Sequence, residues 1–289
     1  MADQLVSVVI VTSNRMKELK RAINSILNQN YDYIEIIIVD NGSTDNTVKM
    51  IKNDFPDIYL VQMVSNIGCP QGRNIGVDYC QGHIIFFLDD DAWLESDVIE
   101  KIIIEFERNS PSLSVIMPNM VEYNSGYITR LVNGDKSYRI YNFLGGVSAI
   151  KRNVFKEVGG FIDTFYGSEE LFMSILLYSK GYSIKIIGSI FAHHKPSFIR
   201  DSNELLIRKI KNDFYWVWIY SPYVVIILII LWKCIVWLGT GVRRKKLLQV
   251  LKGIRSGISP PINFMKKNRS PIDIITLFSF LIKRRKSIL

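Results

Sequence analysis

The sequence has few of the residues that would indicate a disulfide-bonded or redox protein. Its 289 residues include three cysteines, Cys69, Cys80 and Cys234, and none of them forms a C-x-x-C pair. Three cysteines scattered along the sequence do not form a disulfide framework, and they suit a reducing compartment. A G-x-G-x-x-G segment and a G-x-x-x-x-G-K-[ST] loop are both missing. The sequence therefore carries neither the dinucleotide-binding fingerprint nor the P-loop.

The N-terminus lacks the basic segment of a secretory signal. Residues Met1–Gln4 contain no lysine or arginine, and the apolar run Leu5–Val11 is too short for a signal sequence with its cleavage site. We therefore expect this run to form the first strand of a folded domain.

Acidic residues are scarce in the last third of the chain. Residues 195–289 contain 19 Lys/Arg and 4 Asp/Glu, a balance of +15, whereas residues 1–194 contain 17 Lys/Arg and 23 Asp/Glu, a balance of −6. The net charge of +9 therefore combines an acidic body with a basic tail. We predict a division into a globular domain, 1–200, and a C-terminal helical region, 201–289.

The basic tail is also apolar and aromatic. Residues 214–239 combine tryptophan and tyrosine with long aliphatic runs, and a second apolar stretch covers Ile272–Ile282. Lysine and arginine clusters flank both stretches. Nucleic-acid binding is not expected, because the aromatics do not alternate with arginine on a polar surface. The pattern is typical of a membrane interface with anionic lipids as the partner.

The apolar segment is at the lower limit for a crossing helix. Pro222–Leu238 has 17 residues and contains Lys233. A single crossing would place one of the two basic clusters on the outer side, against the positive-inside bias. We favour a peripheral, monotopic or re-entrant arrangement on the cytoplasmic face over a short membrane span. A buried helix or an oligomer interface is the remaining alternative, and the oligomeric state is left open.

Strand-like and helix-like patterns alternate along the body. Alternation with continuous apolar strands predicts an α/β fold, with a mostly parallel sheet covered by helices on both faces. Predicted strands are 5–12, 33–40, 58–64, 83–88 and 113–117; predicted helices are 16–27, 46–53, 73–80 and 97–108.

The strand Ile84–Leu88 ends in three consecutive carboxylates, Asp89, Asp90 and Asp91. Three like charges at a strand end repel one another unless a cation or hydrogen-bond donors balance them. Carboxylate oxygens are the ligands that Mg²⁺ and Mn²⁺ prefer. Because α/β proteins bind ligands at the carboxyl ends of their strands, the triplet predicts a metal-binding site at this sheet edge.

Four segments in order carry a resemblance to a known family. They are Val8-Val9-Ile10-Val11-Thr12-Ser13-Asn14-Arg15, Ile38-Val39-Asp40-Asn41-Gly42-Ser43-Thr44-Asp45, Asn66-Ile67-Gly68 with Gly72-Arg73-Asn74-Ile75-Gly76, and Phe87-Leu88-Asp89-Asp90-Asp91. The series resembles the nucleotide-sugar half of a family 2 glycosyltransferase with the GT-A fold. The segment 159–182 resembles the acceptor half of that family, and the tail resembles the membrane-associating C-termini of members that glycosylate lipid-linked acceptors.

The resemblance implies a nucleotide-sugar site around Asp40 and Arg73. Asp40 would accept from a base N–H or a ribose hydroxyl, although Asp-Asn-Gly-Ser is also strong turn chemistry. Arg73, placed at a helix start, would donate two hydrogen bonds from its guanidinium to the diphosphate. The alternative is that Arg73 is a solvent-exposed charge on the helix. Thr12 and Asn14 would touch base or ribose, or else serve as strand-exit caps.

The same resemblance divides the acidic triplet. Asp91 is the expected direct metal ligand, and Asp90 is structural or faces the donor sugar. Asp89 lies nearer the ribose or the sugar and is also a candidate for the metal. His193 or His194 would complete the site, and two carboxylates with an imidazole suit Mn²⁺ better than Mg²⁺. A structural role for both histidines is the alternative.

The acceptor hydroxyl needs a base, and Glu170 stands where the family usually has an aspartate. We expect Glu170 to be the general base of an inverting displacement. Acidic residues also favour helix starts for electrostatic reasons alone, which is the competing explanation of Glu169-Glu170.

The sequence thus indicates a metal-dependent glycosyltransferase. It would move a sugar from a nucleotide-diphosphate donor to a hydroxyl of a glycan, expected to be lipid-linked, at the membrane. Two other interpretations are a sugar nucleotidylyltransferase, whose Gly-rich, Arg-containing N-terminal loop is missing, and a membrane-anchored glycan-binding scaffold. The donor base, sugar, linkage and acceptor are left open.

Overall fold

The computed structural model describes residues 4–124, 127–132, 134–164, 167–196 and 202–287. Within these ranges, strands and helices alternate through the first two thirds of the chain, and the remainder is helical. The strands are β1 (Val6–Thr12), β2 (Ile34–Asp40), β3 (Tyr59–Gln62), β4 (Ile84–Leu88), β5 (Ala92–Leu94), β6 (Leu113–Asn124), β7 (Tyr127–Arg130), β8 (Ser137–Ile140), β9 (Val147–Lys151) and β10 (Ser183–His194). The helices are α1 (Met16–Leu27), α2 (Thr47–Asp54), α3 (Cys69–Asp78), α4 (Val98–Arg108), α5 (Arg152–Glu157), α6 (Glu169–Ser179), α7 (Ser202–Tyr220), α8 (Tyr223–Arg243), α9 (Leu247–Ile258), α10 (Ile262–Asn268) and α11 (Ile274–Arg285).

The strands form one sheet in the order β3-β2-β1-β4-β9-β6-β10-β5, with β7 beside β6 and β8 beside β10. Strands β3, β2, β1 and β4 are parallel neighbours, as expected for strands joined by crossover helices. The next strand, β9, pairs antiparallel with both β4 and β6. The expected mixed α/β architecture with a mostly parallel sheet is confirmed.

Both faces of the sheet are buried, which explains the continuous apolar strands. In β1, Val8 and Ile10 pack into one core cluster with Leu19 of α1, whereas Val9 packs into the other cluster on the opposite face. Successive side chains of a strand point to opposite faces, so a strand buried on both sides must be apolar throughout. The same rule accounts for Ile84–Leu88 before the acidic triplet.

Two elements near the site differ from the sequence-based prediction: one helix begins earlier, and one strand was not predicted. Helix α3 begins at Cys69 rather than Arg73, after Gly68 with a φ of +89° and with Pro70 in its first turn, where a missing N–H costs little. The short strand β5 was not predicted, and it pairs antiparallel with the end of β10. Both differences change which side chains reach the carboxyl edge of the sheet.

The helices of the tail enclose a third apolar cluster. It joins Phe214 and Val217 of α7 to Ile226 of α8 and Phe280 of α11, and it also includes Phe172 of α6. Helix α6 therefore packs on the tail with one face and on the sheet with the other, where Met173 and Leu177 lie. The division of the chain near residue 200 stays a prediction.

Helix α9 lies unusually close to α7 because two of its glycines face that helix. A Cβ added at Gly253 would lie 2.7 Å from the Ile210 Cβ, and one added at Gly257 would lie 2.7 Å from the Phe214 Cβ. Small residues four apart allow helix backbones to approach closely. The tail helices are thus packed on one another and on α6.

We expect Gly253→Ala to destabilise the protein, by about 1–3 kcal/mol, because the new methyl group overpacks against a buried isoleucine next to its backbone. Gly239→Ala is the matched control, because Gly239 also lies within a helix and a Cβ added there would have no described atom within 4 Å. That control should gain roughly 0.5–1 kcal/mol. Thermal unfolding of both variants measures the difference, and equal melting temperatures would contradict the packing described for α9.

Candidate active site

Three strand ends meet at the carboxyl edge of the sheet. Thr12 and Asp40 are register partners at the ends of β1 and β2, and the acidic triplet follows β4 on the other side of β1. Thr12 Oγ1 donates a hydrogen bond of 2.8 Å to Asp90 Oδ2. This contact fixes the end of β1 to the acidic turn, so Thr12 has a structural partner within the protein.

Each carboxylate of the triplet has a cationic neighbour. The Arg73 Nη2 lies 2.8 Å from Asp89 Oδ1, and the Arg15 Nη1 lies 3.1 Å from Asp90 Oδ1 and 2.6 Å from Asp91 Oδ2. These two arginines therefore reduce the repulsion among the three adjacent carboxylates. Sequence reasoning assigned no role to Arg15, although it ends the first motif and immediately precedes α1.

Asp90 and Asp91 differ in their charge state. Burial raises the pKa of Asp90 to about 7, although Arg15 and Thr12 oppose the change. Burial alone would also raise the pKa of Asp91, but hydrogen bonds from His194 and Arg15 outweigh it and lower that pKa to about 2. Asp91 is therefore the permanently charged member of this pair at neutral pH.

Asp89, Asp91 and His194 form one group, and each offers an atom within 4.8 Å of the others. The His194 Nε2 lies 3.2 Å from Asp91 Oδ1, while Asp90 turns away toward Thr12. Two carboxylate oxygens and one imidazole nitrogen make a donor set that fits Mn²⁺ and, less well, Mg²⁺. The group thus has the chemistry expected of a divalent-cation site.

His193 is held away from this group. Its ring stacks on Trp93 with centroids 5.1 Å apart, Tyr123 Oη lies 2.9 Å from its Nδ1, and Glu95 lies 3.3 Å from its Nε2. Neighbouring residues of a strand point to opposite sides, so β10 can direct only one of the two histidines at the triplet. The geometry selects His194, which the sequence left undecided.

Arg73 does not lie where the sequence placed it. Because α3 begins at Cys69, Arg73 is one turn inside the helix rather than at its N-terminus, and the residue is 4% exposed. Its guanidinium lies 2.8 Å from Asp89, 3.5 Å from Glu169 and 3.9 Å from Glu170. The arginine therefore connects the acidic triplet to the acidic pair at the start of α6, and its predicted contact with a diphosphate stays a prediction.

We expect Arg73→Met to destabilise the protein by about 3–5 kcal/mol, because it leaves the buried Glu169 and the partly buried Asp89 and Glu170 without their cationic neighbour. Thermal denaturation would measure the loss. The matched comparison is Arg108→Met at the end of α4, an exposed arginine that forms no ion pair with any residue the structure describes. A melting temperature for Arg73→Met equal to that of Arg108→Met would show that the three contacts contribute nothing.

Glu170 and Glu169 begin helix α6 and differ in their surroundings. The Glu170 Oε1 accepts a hydrogen bond of 3.0 Å from the Gly145 backbone N–H, and its side chain is 19% exposed. Glu169 is buried, and its Oε2 has no hydrogen-bond partner within the part of the chain that the structure describes. Burial raises the pKa of both carboxyl groups, against the opposing effect of Arg73. Glu170 is the member of the pair that is accessible from the site.

A glycine pair completes the site and was missed by sequence reasoning. A Cβ at Gly145 would lie 2.5 Å from the Arg73 Nη1 and 2.8 Å from the Glu170 Oε1, and a Cβ at Gly146 would lie 2.1 Å from the Asp89 Oδ2. The Gly146 carbonyl also accepts from the Asp89 N–H at 2.7 Å. The pair Gly-Gly before a strand was the available signal, but its partners are distant in sequence.

Asp40 and Asn14 occupy the loop edge beside the triplet. The Asp40 Oδ2 accepts from the Ser43 N–H at 3.1 Å, whereas its Oδ1 is buried and has no hydrogen-bond partner among the described residues. Asn14, with a φ of +56°, accepts from the backbone N–H groups of Thr44 and Asp45. Asn14 thus joins two loops, while Asp40 retains a free acceptor atom.

A family model supplies the first comparison with known proteins. The model described as glycosyl transferase family 2 matches residues 7–167, which include the acidic triplet and Asp40. The chain belongs to glycosyltransferase family 2. The expectation drawn from the four sequence motifs is confirmed.

Two relatives carry names of transferases that use lipid-linked glycans. The chain is 26% identical over 192 residues to a Campylobacter jejuni GalNAc(5)-diNAcBac-PP-undecaprenol beta-1,3-glucosyltransferase, covering 62% of this chain and 61% of the relative. It is 29% identical over 174 residues to a Haloferax volcanii glucosyl-dolichyl phosphate glucuronosyltransferase, covering 54% and 55%. The chain thus spans less than two thirds of the length of these relatives.

Solved structures support the family 2 fold. GalNAc-T7, crystallised with UDP, GalNAc and Mn²⁺, superposes with a TM-score of 0.64 at 17% identity and covers 76% of this chain and 48% of its own. S. aureus TarS 1–349 in complex with UDP-GlcNAc gives 0.60 at 15% identity, with 74% and 66% covered. At these identities the likeness establishes the fold alone, and it agrees with the GT-A architecture.

Proposed function

We propose that this family 2 chain is a metal-dependent glycosyltransferase that transfers a sugar from a nucleoside-diphosphate sugar to a hydroxyl of a lipid-linked glycan at the cytoplasmic membrane face. The observation that carries the proposal is the joining of two groups of acids through one buried arginine. Arg73 lies within 4 Å of both Asp89, from the last motif of the nucleotide-sugar half, and Glu170, from the segment that resembles the acceptor half.

Asp40 supports recognition of the donor nucleoside. Its buried Oδ1 has no hydrogen-bond partner among the described residues, which is costly unless a ligand supplies a donor. A base N–H and a ribose hydroxyl can each supply that hydrogen bond. We therefore infer that Asp40 binds the nucleoside of the donor, and the base is identified by the donor screen.

Asp91, Asp89 and His194 would hold the divalent cation, with Mn²⁺ the better match to an imidazole ligand. A bound cation supplies positive charge that stabilises the departing nucleoside diphosphate. Arg15 holds Asp91 in place through the oxygen that does not face His194. The chain's own contribution is to keep both oxygens of Asp91 oriented.

Glu170 is the proposed general base. The acceptor hydroxyl oxygen attacks the anomeric carbon, the bond from that carbon to the diphosphate oxygen breaks, and the hydroxyl proton moves to the Glu170 carboxylate. This direct displacement inverts the anomeric configuration. The raised pKa of Glu170, caused mainly by burial, suits a group that must accept a proton near neutral pH.

The tail supports an acceptor held at a membrane. Among the described residues, helix α8, with 21 residues, is long and apolar enough to cross a bilayer by length and composition. Exposed lysines and arginines follow it, a charge pattern that attracts anionic lipids of the cytoplasmic leaflet. The two relatives named for undecaprenol- and dolichyl-linked substrates agree with an acceptor of this class.

A donor screen tests the proposal. Detergent-solubilised protein is incubated with UDP-, dTDP-, GDP-, CDP- and ADP-sugars, with Mn²⁺ or with EDTA, and release of the nucleoside diphosphate is measured in the presence of polyprenyl-diphosphate-linked saccharides. We expect release from at least one of these donors, dependent on the cation. Absence of release from every donor under both conditions would instead favour the glycan-binding scaffold.

A further inference from the structure

One face of α8 is apolar along the whole helix and points away from the protein. Its exposed residues recur at helical spacing: Val224, Ile227, Leu228, Leu231, Trp232, Ile235 and Val236. We call this set the α8 face; its members are between 46% and 80% exposed. Contiguous apolar surface on this scale marks an interaction site rather than ordinary protein surface.

The opposite side of α8 is fixed to the protein. The Lys233 Nζ lies 2.6 Å from Asp213 Oδ2 of α7, and the Trp237 Nε1 donates to the same oxygen at 2.8 Å. Lys233 is 6% exposed. Ile226 and Ile230, on the same side of the helix, enter the apolar cluster of the tail. The middle of α8 is therefore bound to α7 by an ion pair and by packing.

This attachment decides whether α8 can cross a bilayer. Helix α7 carries exposed charged residues, among them Glu204 and Lys209, so it cannot accompany α8 into hydrocarbon. If α8 crossed alone, the pair Asp213–Lys233 would have to separate, which leaves a charge without its partner. Gly241 also packs against Val250 of α9 near the end of the helix. A position on the membrane, with the helix parallel to it, keeps all these contacts.

Charge identifies the partner of the α8 face. Arg243, Arg244 and Lys245 are exposed directly after the face, and α11 ends in the exposed cations Lys283 and Arg285. A second copy of this chain would bring two such basic surfaces together, which is unfavourable. Anionic phospholipid headgroups would instead be attracted, by about 1 kcal/mol for each lysine or arginine near the surface.

We propose that the α8 face lies in the interfacial layer of one leaflet of an anionic phospholipid bilayer, with α8 parallel to the membrane and not crossing it. The inference rests on the membrane location in the proposed function, but it does not depend on sugar transfer. It also distinguishes between the membrane arrangements that the sequence leaves open.

Vesicle flotation tests the surface. The full chain is mixed with phosphatidylcholine vesicles with or without phosphatidylglycerol, and the floated fraction is measured. We expect binding to require phosphatidylglycerol and to weaken at least about tenfold in the double variant Ile227→Asn/Leu231→Asn, since apolar burial drives interfacial binding. Leu27→Asn/Val64→Asn, on exposed apolar residues of the body, is the matched control and should bind as the unchanged chain does.

Two results would overturn the surface assignment. One is equal flotation of the α8-face variant and the unchanged chain. The other is a dimer, measured by light scattering, that dissociates in the variant while flotation persists; a second copy would then occupy the face. Nucleotide binding by the variant is measured in parallel, so that loss of docking and failure of the proposed transferase function give different results.

Cysteine labelling tests whether the helix crosses. Tyr223→Cys and Val242→Cys, near the two ends of α8, both exposed and both outside the α8 face, are each introduced into a chain carrying Cys234→Ser. A membrane-impermeant maleimide is applied to inside-out and right-side-out membrane vesicles, with the Cys234→Ser chain as background. We expect both cysteines to react from the same side. Reaction of the two from opposite sides would establish a span and refute the proposal.

Discussion

Glu170→Gln is expected to reduce sugar transfer by at least about 100-fold while leaving donor affinity within about twofold, because the amide cannot accept the hydroxyl proton. Glutamine keeps an oxygen that can accept from the Gly145 N–H, so the local fold should survive. The measurement pairs product formation under saturating donor with nucleotide affinity by calorimetry. A lost rate with intact binding separates a base from a binding residue.

Glu169→Gln and Glu157→Gln are the controls for that result. Glu169 is buried, and its raised pKa, caused mainly by burial, favours the neutral form that glutamine imitates. We expect its loss of rate to stay below about tenfold, well under the range of a proton-transfer residue. Glu157 lies near Lys180 at the surface, so Glu157→Gln should leave the transfer rate unchanged. An unchanged transfer rate in Glu170→Gln would show that another residue is the general base.

Asp91→Asn is expected to weaken Mn²⁺ binding at least about 100-fold and to abolish metal-dependent transfer, since even residues behind the ligands contribute 10–100-fold to such sites. Asp91 is ionised at neutral pH and lies between His194 and Arg15, so asparagine removes the charge that both contact. Mn²⁺ affinity is measured by electron paramagnetic resonance of the free ion, which needs no substrate.

Asp90→Asn provides the matched control within the same triplet. Asp90 turns toward Thr12, and burial raises its pKa to about 7, so its charge is already reduced at neutral pH. We expect Mn²⁺ affinity to change by no more than about tenfold, which is the low end of the effects of residues behind the ligands. Equal losses of Mn²⁺ affinity in Asp90→Asn and Asp91→Asn would show that the different orientations of these two side chains do not determine which carboxylate binds the cation.

The body of the fold was predictable because its signals are local. Continuous apolar strands and amphipathic helices specify β1, α1, β2 and α4 within a residue or so of their observed bounds. The strand β5 gave no such signal, because Ala92–Leu94 is short and is stabilised by pairing with the distant end of β10. That pairing also sets which histidine faces the triplet.

The candidate site was predictable in its residue types and less so in their partners. Asp40, Asp89, Asp91 and Glu170 lie at one edge as the motif series implies. The position expected for Arg73 at the start of its helix was wrong, because the helix start depends on Gly68 and Pro70 and not on the arginine itself. Its role in donor binding stays a prediction. Contacts between residues far apart in sequence, such as Arg15 with Asp91, have no local pattern from which to infer them.

The central claim is that Asp40 and the Asp89–Asp91–His194 group act together as a cation-dependent nucleotide site. The most direct test is calorimetric titration of the unchanged protein with UDP, dTDP and GDP, each with Mn²⁺ and with EDTA. The account predicts that at least one nucleotide binds at least about tenfold more tightly with Mn²⁺, since the cation would link the diphosphate to the carboxylates. Equal affinity for every nucleotide with and without the cation would contradict it.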